Sequence, residues 1–136
     1  MHYLQILPNS VLPKITKLNP FRAIIIIEEH VAENWQTEVS EWLVSSGCLY
    51  TMAWGKNCSS WDDSVDYANL EEFDFGEIPK EKFVLTTWHE NEPLKEVFHF
   101  SKYNAFHLTV EIKNTLLLHI SKTNKELELL KDYDNV

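Results

Sequence analysis

The sequence predicts an α/β fold: a three-layer, doubly wound, mostly parallel sheet of about four to five strands, flavodoxin-like or Rossmann-like. Three observations lead there. Phe21–Ile27 (FRAIIII) is a short, largely β-branched run that is apolar on both faces, as a strand covered on both sides by helices must be. Strand-like and helix-like segments then alternate along the chain, which implies crossover connections and helices on both sides of the sheet. With 136 residues, 44% of them apolar, the chain can build a substantial core as one domain spanning residues 1–136.

The first twenty residues, punctuated by Pro8, Pro13 and Pro20, read as a leader ahead of that first strand. Trp35, Val39, Trp42 and Leu43 recur at helical spacing between about Ala32 and Ser46, and Gly47 is a C-terminal stop. Cys48–Trp54 is the second strand, closed by Gly55. Ser59-Ser60-Trp61-Asp62-Asp63 has the form of a helix start, with a hydroxyl N-cap and carboxylates in the first turn, and the helix runs to about Phe73. Gly76 and Pro79 interrupt the chain before a third strand, Phe83–Trp88. Pro93 stands at the start of a helix carrying Leu94, Val97 and Phe98. Leu108–Ile112 fits either a short strand or a helical turn, whereas Thr115–Ile120 reads as the last core strand. In the tail, residues 122–136, Leu127, Leu129 and Leu130 stand among charges, so it is either frayed or helical.

A formal charge of −9 opposes attraction to nucleic-acid backbones and to anionic lipid, and favours a basic protein partner; solubility alone accounts for it equally well. No basic n-region leads into an apolar stretch at the N-terminus, and no window approaches the roughly 18 apolar residues of a membrane span. Cys48 and Cys58 therefore read as reduced thiols, and the expected compartment is the cytoplasm.

From about Phe21 to Ser121 the chain resembles a family of small bacterial domains of unknown function. The resemblance is carried by Ser46-Gly47-Cys48-Leu49-Tyr50, Met52-Ala53-Trp54-Gly55, Cys58-Ser59-Ser60-Trp61-Asp62-Asp63-Ser64-Val65-Asp66 and Thr86-Thr87-Trp88-His89. It implies a shared fold, brings no established reaction, and transfers no site residue.

In a doubly wound sheet, ligands bind beyond the carboxyl ends of the strands. Those ends are rich in reactive groups: Glu28, Glu29 and His30 after the first strand, Trp54, Lys56 and Cys58 around the end of the second, Trp88, His89 and Glu90 at the third, His119 at the last. With the first strand central, Glu28 or Glu29 would lie between Trp54 and Trp88. The competing account makes Trp54 and Trp88 lids on the core, and the Glu and His side chains solvated loop groups. No glycine-rich phosphate loop is present among three glycines, and Asp62 and Asp63 at a helix start would repel an anion. His30, His89, His119, Glu29 and Glu90 are ligand types that zinc and iron accept, but no local ligand spacing occurs, so neither a metal nor a cofactor is expected. Asp62 and Asp63 also work against a thiolate at Cys58.

Between Lys56 and Lys80 the chain carries seven acids, Asp62, Asp63, Asp66, Glu71, Glu72, Asp74 and Glu77, and no base. This segment is either an acidic surface for a positive partner or a solvated face. Two functional classes follow. The first is a non-enzymatic inhibitor, immunity-type or regulatory module that holds a basic partner with Trp61, nearby aromatics and the acidic helix. The alternative is a small hydrolase acting on a neutral or cationic small molecule, with Glu28 or Glu29 as base or nucleophile and His30 or His89 as acid. A closed concavity at the strand ends would favour the enzyme, and a flat acidic face the binder.

Overall fold

The computed structural model of the protein describes all of residues 1–136 and shows an α/β fold with five parallel strands and four α-helices, flavodoxin- or Rossmann-like. The strands are β1 (His2–Ile6), β2 (Phe21–Ile27), β3 (Cys48–Gly55), β4 (Leu85–Trp88) and β5 (Asn114–Ile120). The helices are α1 (Glu33–Ser45), α2 (Trp61–Glu72), α3 (Leu94–Tyr103) and α4 (Glu126–Asp134). The sheet order is β1-β5-β2-β3-β4. β2 is thus the central strand, in continuous parallel register with β5 from Phe21↔Asn114 to Ile27↔Ile120 and with β3 from Arg22↔Tyr50 to Ile27↔Gly55.

The isoleucine run divides between two cores because successive side chains on a strand point to opposite faces. Ile25 and Ile27 join Leu116, Leu118 and Ala53 under Trp35, Val39 and Leu43 of α1 and Trp61 of α2. Ile24 and Ile26 join Met52 and Leu117 under Val97 and Phe98 of α3 and Leu129 and Tyr133 of α4. Ile24, Ile25, Ile26 and Ile27 are all at most 1% exposed, so the two-sided burial inferred from their uninterrupted apolarity is present.

Helix α1 ends where expected, with Ser46 as C-cap and Gly47 at φ +102°, a left-handed conformation that glycine adopts without steric cost. Gly55, at φ +106°, closes β3 against β2. A Cβ there would collide with the Ile27 carbonyl oxygen, which accepts the Lys56 amide at 2.9 Å. Helices α1 and α2 are joined by a buried polar seam. The Gln36 amide donates to the Ser60 and Ser64 hydroxyls, both at 3.1 Å, and the Ser40 hydroxyl meets that of Ser64 at 3.0 Å.

Several expectations need correction. The first twenty residues are not a mere leader, since His2–Ile6 pairs in parallel with β5 as the edge strand. The start of α2 has no hydroxyl cap. Ser60 is itself helical in conformation and its hydroxyl donates to the Asn57 carbonyl at 2.8 Å, serving the interhelical seam instead. The third strand starts at Leu85 and not Phe83, because the buried Asn69 side chain takes over the backbone before it, accepting from the Val84 amide at 2.9 Å and donating to the Lys82 carbonyl at 3.1 Å. Leu108–Ile112 is neither strand nor helix. The tail resolves as helical: Leu129 and Tyr133 are buried, and the Lys102 ammonium donates to the carbonyls of Tyr133 and Val136 at 3.0 Å each.

Two substitutions test this packing. Ile26→Ala is expected to lower unfolding stability by about 2–5 kcal/mol, as truncation of a close-packed core side chain. Gly55→Ala is expected to cost more than about 1 kcal/mol, since it combines a left-handed backbone with a backbone collision. Denaturant melts measure both, and unchanged midpoints would contradict the burial and register described.

Candidate functional site

Strands β2 and β5 are neighbours, yet the chain leaves β2 for α1 on one face of the sheet and leaves β5 for α4 on the other. Such a divergence is the topological switch point at which open α/β sheets bind ligands. Here it is filled by the protein's own side chains. Glu28, half-buried past the end of β2, meets the imidazole Nε2 of the fully buried His119 on β5. The other ring nitrogen, Nδ1, lies 2.6 Å from the hydroxyl of Tyr3 on β1, and that oxygen accepts the Lys125 amide at 3.0 Å. Burial raises the Tyr3 pKa, only partly offset by the Lys125 amide bond, so the phenol is a hydroxyl and can donate to Nδ1. With that hydroxyl donating to Nδ1, Nε2 donates to the Glu28 carboxylate, and every bond in the chain has one donor and one acceptor. The Lys125 ammonium, 3.8 Å from the second Glu28 oxygen, closes the ring. Glu29 accepts the Lys122 amide at 3.1 Å, so the β5–α4 connection is tied down over both carboxylates.

The remaining strand-end candidates fall elsewhere. His89 is buried, with Nε2 2.9 Å from the Thr87 hydroxyl, Nδ1 3.0 Å from the Glu92 carboxylate, and its ring against Phe100. Trp54 lies between the two histidines, its indole donating to the Glu92 carbonyl at 2.7 Å. From β5 to β4 is three strand spacings, about 14 Å, which explains why His119 and His89 keep separate carboxylate partners. Trp88 corrects the expectation of an aromatic wall. It pairs in register with Ala53 and so points to the α1–α2 side, opposite Trp54, where it is 47% exposed. His30, Lys56 and Glu90 are exposed. Sequence reasoning placed His119 at a strand end and among the possible ligand types but gave it no acid–base role, which went to His30 or His89; the signal for it was a lone polar side chain inside the apolar run Leu116–Ile120.

The second candidate surface is the α1–α2 layer. Helix α1 contributes Glu33, Glu38 and Glu41, helix α2 contributes Asp62, Asp63, Asp66, Glu71 and Glu72, and neither carries a lysine or arginine. A groove of about 770 Å³ runs between Asn9–Leu12, α1 and α2 past Glu38, Glu41, Glu71 and Glu72. An adjoining cavity of about 530 Å³, sharing Glu41 and Ala68 with it, continues past Glu33 and Asp63. Neither cavity is lined by Glu28, Glu29 or His89. Trp61 does not belong to this surface, because it is 1% exposed and packs into the core under α1. Its place is taken by Tyr67 and Phe75, both exposed and stacked edge-on at 5.3 Å, a pair that no helical periodicity marks out.

Carboxylate oxygens of Asp62, Asp63 and Asp66 lie within 4.8 Å of one another, whereas the imidazoles considered as metal ligands do not converge. Asp66 has a raised pKa, through desolvation first and then repulsion from Asp62 and Asp63, against the lowering effect of the Thr86 hydroxyl bonded to it at 2.9 Å. Cys48 and Cys58 are free and buried. Burial pushes the Cys48 thiol up to about 12 and raises that of Cys58, so neither is a ready nucleophile.

A raised carboxyl pKa means that the folded state holds the Asp66 proton more tightly than the unfolded chain, so this group's contribution to stability falls as pH rises through the window above its ordinary 3.8. Asp66→Asn keeps the acceptor for Thr86 and is expected to raise the melting temperature at neutral pH, the gain vanishing below that window. A gain that persists at low pH would rule out charge as its cause. At the switch point, Tyr3→Phe removes one bond to His119 and one from Lys125 and is expected to cost about 0.5–3 kcal/mol; an unchanged melt would mean that the ring of bonds does not hold β1 to the sheet.

No curated protein and no solved structure matches this chain. The sequence does match a family along its entire length, so that the edge strand and the final helix are part of the shared unit. Over residues 1–136 the chain belongs to the family described as a domain of unknown function, DUF7684.

Proposed function

We propose that the protein is a non-enzymatic interaction module, of inhibitor, immunity or regulatory type, that holds a basic protein partner on its α1–α2 layer. The observation that carries this reading is the pair of adjoining cavities along the two helices, lined between them by Glu33, Glu38, Glu41, Asp63, Glu71 and Glu72 with no basic side chain. Like charges gathered on adjacent helices repel in the free protein, and a partner's lysines and arginines relieve that repulsion while steering the encounter. Tyr67 and Phe75 supply exposed aromatic area beside the charges. No helix is long and apolar enough to cross a membrane. With two free thiols in the fold, the compartment we assign is the cytoplasm.

A second reading, a small hydrolase of neutral or cationic molecules, is favoured by the Tyr3–His119–Glu28 chain at the switch point, with His119 in the place expected of His30 or His89. It is the weaker reading because Lys122 and Lys125 already occupy both carboxylates there.

Association of a lysine-rich peptide, followed by stopped flow at low and moderate salt, tests the first reading. The variant Glu38→Gln/Glu41→Gln/Glu71→Gln/Glu72→Gln is expected to associate about tenfold or more slowly at low salt, the difference shrinking as the Debye length falls below about 8 Å. Equal rates for parent and variant at every salt concentration would make the layer a solvated face and overturn the proposal.

A further inference from the structure

The opposite, amino-terminal end of the sheet carries a site of different chemistry. Arg22, at the start of β2, is the only arginine of the chain. Its Nε donates to the Ala105 carbonyl at 3.1 Å and its Nη1 to the Thr115 hydroxyl at 3.0 Å, which fixes the plane of the guanidinium and uses two of its five N–H donors. No buried side-chain nitrogen in the structure is left without a partner, so the unbonded Nη2 is open to solvent. Although the chain has 21 acidic residues, none forms an ion pair with Arg22. Glu111, the nearby carboxylate, turns to Lys113 at 3.5 Å.

Arg22 lines a cavity of about 460 Å³ whose other wall is the 106–112 loop, with Phe106, Leu108, Val110 and Ile112. Phe106 and Leu108 are 63% and 74% exposed, an apolar display without a partner in the fold. The loop is nevertheless pinned. The His107 Nδ1 accepts the amides of Thr109 and Val110 at 3.2 and 3.1 Å, so its Nε2 carries the proton and donates to the Phe83 carbonyl at 2.7 Å.

We propose that this cavity binds a carboxylate bearing an aromatic or branched apolar group, with Arg22 receiving the carboxylate and Phe106 and Leu108 covering the apolar part. A half-buried, pre-oriented guanidinium is the group best suited to a planar carboxylate, and it has lost part of its hydration already. Burial lowers the Arg22 pKa, in keeping with that partial desolvation, while leaving the group charged. A free small acid and the carboxy-terminal residue of a peptide present the same chemistry.

The test is a titration of the full chain, followed by NMR at the Arg22 Nε–H and the Leu108 methyls, with phenylacetate, phenylacetamide, a peptide acid ending in Phe, and its amide. At least one acid is expected to bind, about tenfold or more tightly than its amide, and Arg22→Gln is expected to lose that preference. Binding of the peptide acid alone assigns the site to chain termini, and binding of phenylacetate alone to free acids. Leu108→Asp, at an exposed position, is expected to weaken binding about tenfold with an unchanged melt, so that the site can be judged even if Arg22→Gln unfolds. Failure of both acids to bind, equal binding of acid and amide, or indifference to Leu108→Asp would overturn the proposal.

Discussion

Four consecutive isoleucines at the centre of the sheet set the constraint on which the remaining architecture depends. A strand that presents branched apolar side chains to both faces must be covered on both. Ile25 and Ile27 demand one layer, supplied by α1 and α2, and Ile24 and Ile26 demand the other, supplied by α3 and α4. The same centrality fixes β5 and β3 as neighbours and leaves β1 and β4 at the edges. Because β5 returns to the far side of β2, the switch point falls at Glu28 and His119.

The two helical layers differ in charge, and that difference is what the proposed function rests on. In the α3–α4 layer, Lys95, Lys102 and Lys131 offset the acids, and Lys102 additionally closes the end of α4. In the α1–α2 layer all the charges have one sign. Its helices are held together by the Gln36–Ser60–Ser64–Ser40 seam and by Trp35, Val39, Leu43 and Trp61 beneath, so no cross-helix ion pair is needed for packing. The outward face is thereby free to carry unbalanced carboxylates. The switch point has the opposite character: its charges are paired within the protein, and they staple β1 and the start of α4 to the sheet.

The fold was legible wherever side-chain periodicity reflects burial. β2, β3, β5, α1 and the Gly47 stop all follow from patterns of apolar residues that a covered sheet enforces. β1 was not legible, because an edge strand pairs on one side only and HYLQI, mostly part-exposed, has neither a continuous apolar run nor clean alternation. The site was legible in position and not in partnership. Glu28 stands where a strand end should place it, but its partner was set by strand order, which brings β5 and not β4 beside β2. Trp61 shows the complementary error: an aromatic in an acidic helix looked like a contact residue, while its spacing to Val65 and Ala68 put all three on the buried face.

The central claim, that the α1–α2 layer is the working surface, is tested most directly by mapping where a lysine-rich peptide touches the protein. In an NMR titration of the isotopically labelled chain at low salt, amide shifts are predicted to concentrate in Glu33–Ser45, Trp61–Glu72 and the adjoining 9–12 segment, and to fade as salt is raised. Shifts spread evenly over the surface, or centred on α3, α4 or the Glu28–His119 end of the sheet, would contradict the account.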